Sequence, residues 1–193
     1  MDKNLWKPLL VLSGITCTMA FVLGGVQQLT KEDIEVIKNK QELEAISLVV
    51  GDFDNDPFAE QMLISTPDKK DKFKMYPARL NGKLNAVAIK SYTNAGFGGK
   101  IEVITGFNVD GSINTFKIVS SSETPGLGTK TDEPRFKEQL RGFHPQKQVL
   151  KVVQDGGEVD AVTAATISSK AVLKAIERAW SAFYNFNSRN NND

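Results

Sequence analysis

Asp160-Ala-Val-Thr-Ala-Ala-Thr166-Ile-Ser-Ser169 sets one carboxylate and four hydroxyls around small side chains, directly ahead of a helical pattern. Small residues let a ligand approach the main chain, hydroxyls supply donors and one potential nucleophile, and the unpaired amides of a helix start attract phosphate. Thr and Ser are also ordinary helix caps, and Ala suits any helix, so residue type alone leaves a plain cap open. The helix itself is expected over Ser168–Tyr184, with Val172, Ile176, Ala179 and Phe183 on one face.

Upstream, strand-like runs occupy Leu84–Tyr92, Lys100–Val109, Ile113–Ser120 and Gln148–Val153, and Pro134–Leu140 reads as a short helix. Asp110-Gly111 between the second and third runs is a hairpin signal, which argues for antiparallel pairing. Strands joined tightly to one another, with helices at the end, make the fold class α+β with a mostly antiparallel sheet and flanking helices. Gly51–Pro57 and Thr66–Asp71 break the pattern before the first of these runs. The Asn-rich tail, residues 185–193, is expected to be disordered.

The N-terminal part is different in kind. No charge occurs from Pro8 to Thr30, and Leu9–Val26 approaches the roughly 20 apolar residues that cross a bilayer as a helix. An uncleaved anchor fits better than a signal peptide, because the apolar run continues past Ala20. Lysines flank it on both sides, so the positive-inside rule does not orient it. The expected organisation is an N-terminal segment at 1–7, a transmembrane helix at 8–30, a juxtamembrane helix and connection at 31–75, a main domain at 76–184 and the tail.

With 24 basic and 23 acidic side chains, the net charge of +1 gives no nucleic-acid footprint. The single Cys17 lies in the apolar run, which excludes an intrachain disulfide and cysteine-ligated metal clusters. Asp52, Asp54 and Asp56 alternate like the start of a calcium loop, but Pro57 and Leu63 stand where Gly and Glu are required. His144 beside Pro145 reads as a turn residue, and Trp180 and Phe183 as core or interface aromatics. Glu123-Thr-Pro-Gly-Leu-Gly128 follows a strand and reads, by itself, as a tight turn.

Taken together, Asp160–Ser168, Glu123–Gly128 and the glycine-flanked Phe97 of Gly96-Phe-Gly-Gly99 resemble the FMN-binding domain family of the Rnf G subunit and the sodium-pumping NADH:quinone reductase C subunit. Thr163 and Ala164 stand where that family more often has Ser and Gly. The resemblance covers roughly residues 76–183 and implies FMN joined through its phosphate to Thr166 as a phosphoester, attached by a separate flavin transferase. It further implies that Asp160 presents or activates the Thr166 hydroxyl. The flavin would be bordered by Phe97, Gly98, Glu123, Thr124, Gly126, Leu127, Gly128, Thr163, Ala164, Ala165, Ile167 and Ser168, with Lys151 available to neutralise the phosphate.

The implied role is electron transfer without stand-alone catalysis, in a ferredoxin:NAD complex that moves sodium ions or protons. The implied setting is a prokaryotic cell membrane, with the anchor in lipid, the flavin domain on the extracytoplasmic side, and partner subunits including the D subunit. The compact length favours the Rnf type over the quinone reductase. A non-redox anchored binding or sensor module, in which the motifs only shape turns, is the competing class.

Overall fold

A computed structural model describes residues 6–190, in two units, one ending at Gln41 and the other beginning at Glu42. Positions 1–5 and 191–193, part of the expected N-terminal segment and tail, lie outside the described residues.

The first unit is helical. Its stretch Trp6–Gln28 is long and apolar enough to cross a membrane. Two threonines there turn inward on the helix: Thr16 Oγ1 donates to the Leu12 carbonyl at 3.0 Å and Thr18 Oγ1 to that of Gly14 at 2.8 Å. Hydroxyls paired in this way do not need water. The helix to which they belong, α1 (Trp6–Val50), is continuous, so the helix expected after residue 31 is present as part of it. No Gly or Pro occurs between Val26 and Val50 to interrupt it. Gly51, at φ 77°, stops it, with its amide on the Ser47 carbonyl.

The second unit is built on a five-stranded antiparallel meander: β1 (Met62–Ser65), β2 (Lys72–Leu80), β3 (Lys83–Thr93), β4 (Ile101–Asn108) and β5 (Ile113–Ser121), paired in sequence order. The Asp110-Gly111 hairpin is present, with the Gly111 amide on the Asn108 carbonyl at 2.9 Å. The sheet begins ahead of the expected boundary at residue 76, because β1 and the start of β2 precede it. Pro77 within β2 is tolerated at the outer edge. Its carbonyl accepts from Asn55 Nδ2 rather than from a strand, and Asn55 Oδ1 takes the Arg79 amide, so one side chain replaces a missing neighbour.

Side chains alternate across the sheet and build two cores. On one face Phe73, Met75, Ile89, Val103, Phe107 and Phe116 meet α3 (Thr166–Asn190) through Val172, Ile176, Ala179 and Phe183. Phe107 and Phe183 lie parallel at 5.6 Å. On the other face Tyr76, Ala78, Ala86, Ala88 and Ile104 are covered by Ala45, Ile46, Val49 and Val50 at the end of α1. Gly106 makes that approach possible: a Cβ there would stand 2.0 Å from the Val49 carbonyl oxygen.

Two further expectations are corrected. Gln148–Val153 is not a strand; Val152 makes only an isolated bridge to Val159, and a 3₁₀ turn follows at Val153–Asp155. Buried Leu150 and Val152 imitate strand alternation, but Glu158 takes the Val149 amide and the Gln148 side chain, leaving no ladder. The tail as far as Asn190 is helical, since α3 continues and Asn185 Nδ2 donates to the Ser65 carbonyl of β1 at 3.0 Å. The short helix expected at Pro134–Leu140 is α2 (Pro134–Glu138).

Thr105 on β4 is fully buried and its hydroxyl has no partner among the described residues. Thr105→Val is therefore expected to raise stability by about 1 kcal/mol, measured by thermal or denaturant unfolding. Asp71 ties α3 to the sheet by accepting from Tyr92 Oη at 2.7 Å and Arg178 Nη2 at 2.5 Å. The hydrogen bond from Tyr92, then that from Arg178, hold its carboxyl below the usual aspartate range. A pKa lowered on folding gives stability that is present above the unfolded value near ~3.9 and lost as pH falls through the folded value. Asp71→Asn should lower stability at neutral pH and flatten its decline below about pH 4, followed by unfolding titrations across that range.

Candidate functional site

Three loops converge where α3 begins. The first carries Gly96-Phe-Gly-Gly99 between β3 and β4, closed by reciprocal main-chain bonds between Gly96 and Gly99 at 3.1 and 3.2 Å. The second follows β5: Thr124-Pro-Gly-Leu127 has the Leu127 amide on the Thr124 carbonyl at 3.2 Å and Gly126 at φ 78°, the pattern of a type II turn, which needs positive φ at its third residue. The third is Asp160–Ala165, where the Ala165 amide bonds the Val162 carbonyl at 2.9 Å.

One carboxylate joins them. Glu123, only 8% exposed, accepts from the Gly98 amide at Oε1 (3.2 Å) and from Ser168 Oγ at Oε2 (2.7 Å). Gly98 and Gly128 leave the room it needs. A Cβ on Gly98 would lie 1.9 Å from the Ser122 carbonyl oxygen, and one on Gly128 would lie 2.4 Å from Glu123 Oε2 and 2.8 Å from Ser168 Oγ. Ser169 fastens the third loop from behind, donating to the Ala165 carbonyl at 3.0 Å and accepting the Val162 amide at 3.0 Å.

Between the loops lies a cavity of about 330 Å³, lined by Phe97, Glu123, Thr124, Leu127, Gly128 and the run Ala164–Ser168. That volume falls at the low end of small-molecule sites, roughly 300–1,000 Å³. Thr166 opens α3, half-buried, and its hydroxyl has no hydrogen-bond partner among the described residues. The amides of Thr166, Ile167 and Ser168, in the first turn, likewise find no acceptor among the described residues, and no acidic side chain occupies that turn. Phe97, Leu127 and Ile167 add exposed apolar surface. A ligand with an anionic end and a flat apolar body fits this donor set: the anion at the helix start, the body against the apolar walls.

Of the residues expected at the site, Phe97, Glu123, Thr124, Leu127, Gly128, Ala164, Ala165, Thr166, Ile167 and Ser168 meet in this cavity. Gly98 stands behind Phe97 as a donor to Glu123, and Gly126 shapes the turn. Asp160 and Thr163 line a separate cleft with Lys130, Arg135 and Gln139. The main chain of Asp160 is held by Gln139, whose Oε1 accepts the Asp160 amide at 2.7 Å and whose Nε2 donates to the Asp160 carbonyl at 3.3 Å. Lys151 lines a third cleft, with Leu150, Asp155 and Lys170.

The family model for the FMN-binding domain matches residues 96–181. The G subunit of the ion-translocating oxidoreductase complex of Vibrio atlanticus (strain LGP32) is 33% identical over 181 residues, covering 88% of this chain and 86% of its own. The corresponding G subunit of Vibrio parahaemolyticus serotype O3:K6 (strain RIMD 2210633) is 35% identical over 178 residues, covering 86% and 83%. Among solved structures, NqrC of Shewanella oneidensis shares the fold, with a TM-score of 0.53 at 22% identity over 72% of this chain and 76% of that one.

Ala164 stands at φ 62°, in the left-handed region that disfavours a side chain. That conformation costs about 1–2 kcal/mol for an L-residue, and Gly returns part of the gain through a freer unfolded chain, about 0.4–1 kcal/mol. Ala164→Gly is expected to stabilise the domain by about 0.5–1 kcal/mol in denaturant titrations. Gly128→Ala should destabilise it, by about 1–3 kcal/mol, because the new methyl collides with the Glu123–Ser168 pair.

Proposed function

The chain belongs to the family of G subunits of ion-translocating oxidoreductase complexes, and on that premise we propose that it is a membrane-anchored electron carrier whose FMN is esterified to Thr166 Oγ1. The observation that carries the assignment is the unengaged Thr166 hydroxyl at the mouth of a helix start with three unpaired amides, inside the cavity that the FMN-binding motifs enclose.

FMN supplies one- and two-electron exchange when bound. The chain's own residues do the rest. Thr166 provides the attachment oxygen: its O–H bond is replaced by O–P, and the net addition is FMN less one water. The amides of Thr166, Ile167 and Ser168 face the phosphate, and the dipole of α3 favours its charge. Phe97, Leu127 and Ile167 exclude water from the ring, while Glu123 and Ser168 fix the wall between two loops.

The remaining reading concerns setting. A separate flavin transferase installs the ester. Trp6–Gln28 anchors the chain as a single span in a prokaryotic cell membrane, with the flavin domain on the extracytoplasmic side, where a covalent bond prevents loss of the cofactor. The partners are other subunits of an Rnf-type complex, the D subunit among them, which couples ferredoxin:NAD electron transfer to sodium or proton movement. The fold shared with NqrC makes the C subunit of a sodium-pumping quinone reductase the other reading, and the composition of the complex that co-purifies with this chain separates the two.

The full chain produced with a flavin transferase is expected to fluoresce as a flavin band on a denaturing gel. Thr166→Ser should retain the band and Thr166→Ala should lose it entirely; a fluorescent Thr166→Ala band defeats the assignment.

A further inference from the structure

Among the described residues, Glu123 is the one charged residue that lines the Thr166 cavity. Its neighbours there are hydroxyls, small residues and the apolar Phe97, Leu127 and Ile167, and among the described residues no Lys or Arg forms an ion pair with it. Four cations that follow Glu123 or flank the attachment loop in sequence line or pair within other clefts. Lys130 and Arg135 line the Asp160 cleft, Lys170 pairs with Asp155 at 2.8 Å, and Lys151 lines the Asp155 cleft. The two acceptor bonds, from the Gly98 amide and Ser168 Oγ, hold the carboxylate in place without neutralising it. The geometry is therefore that of a carboxylate fixed in the cavity wall, with no cation paired to it among the described residues.

We propose that Glu123 sets the redox potential of the flavin held at Thr166, keeping it low through the fixed charge at the cavity wall. The inference rests on the flavin reading above and deepens it. Reduction places negative charge on the ring system, so an adjacent carboxylate opposes it, and a site of this kind makes the flavin a stronger electron donor. Lys151, a basic residue that would act in the opposite sense, lines another cleft.

A bracing role alone makes a different prediction from a tuning role. In Glu123→Gln the brace survives: the amide oxygen accepts from Gly98, and the amide nitrogen donates to the Ser168 hydroxyl. The full chain, flavinylated and in detergent, is titrated spectroelectrochemically beside Glu123→Gln. The expected result is a higher midpoint potential, equivalent to at least a tenfold change in the ratio of reduced to oxidised flavin at fixed potential, or about 30 mV for a two-electron couple. An unchanged or lowered potential overturns the proposal. If Glu123→Gln yields no flavinylated protein, Ser168→Ala decides. Removing a hydroxyl that partly screens the charge should lower the potential, and an unchanged or raised value overturns the proposal. Flavin absent from the unaltered chain sinks the esterified-Thr166 reading and this one together; flavin present with no response to either substitution sinks only the role of Glu123.

Discussion

The two hydrogen bonds accepted by Glu123 turn three separated stretches of chain into one site. Gly98, Glu123 and Ser168 are 25 and 45 residues apart along the sequence at these contacts, yet they share one carboxylate. Removing the carboxylate would release the glycine loop from the β5 turn and the turn from α3. Because Ser168 is buried, the loss would also leave its hydroxyl without an acceptor, at about 1–3 kcal/mol. The close approach of Gly98 and Gly128 follows from that arrangement, since each Cβ position is already filled by the brace or by the strand leading to it.

The sheet serves the site by holding the brace's two ends at fixed positions. β4 and β5 carry the glycine loop and the Glu123 turn at one end, and α3 lies across the same face on the Phe107–Phe183 contact, so the first turn of the helix is aimed at both loops. α3 enters its first turn without an acidic cap, and its start is shaped from behind by Ser169 rather than closed from the front. A helix start left open in this way loses the stability a cap would contribute, and it gains a place for an anion. The strained Ala164, next to that start, adds a second local cost at the same point.

Much of this was legible in the residues, and the exceptions have physical causes. The order of residues in Asp160–Ser169 and Glu123–Gly128 marked out most of the cavity wall, because both motifs are short and act through main-chain geometry. The Asp110-Gly111 hairpin and the buried face of α3 followed from local pattern. β2 did not, since Pro77 argues against a strand unless an edge partner such as Asn55 is known; the Asn81-Gly82 turn at φ 54° and 74° was the available signal. Gln148–Val153 misled because apolar alternation reports burial and not pairing. Asp160 and Lys151 line clefts other than the Thr166 cavity, a placement that sequence spacing does not encode.

The central claim is that one oxygen, Thr166 Oγ1, carries the cofactor. Peptide mapping by mass spectrometry of the full chain, produced with its flavin transferase and purified from membranes, tests it most directly. The account predicts that the peptide containing Thr166 is heavier by FMN less one water, with fragment ions placing the addition on that residue. An unmodified Thr166 peptide, or the same mass carried by Thr163, Ser168 or Ser169, would contradict it.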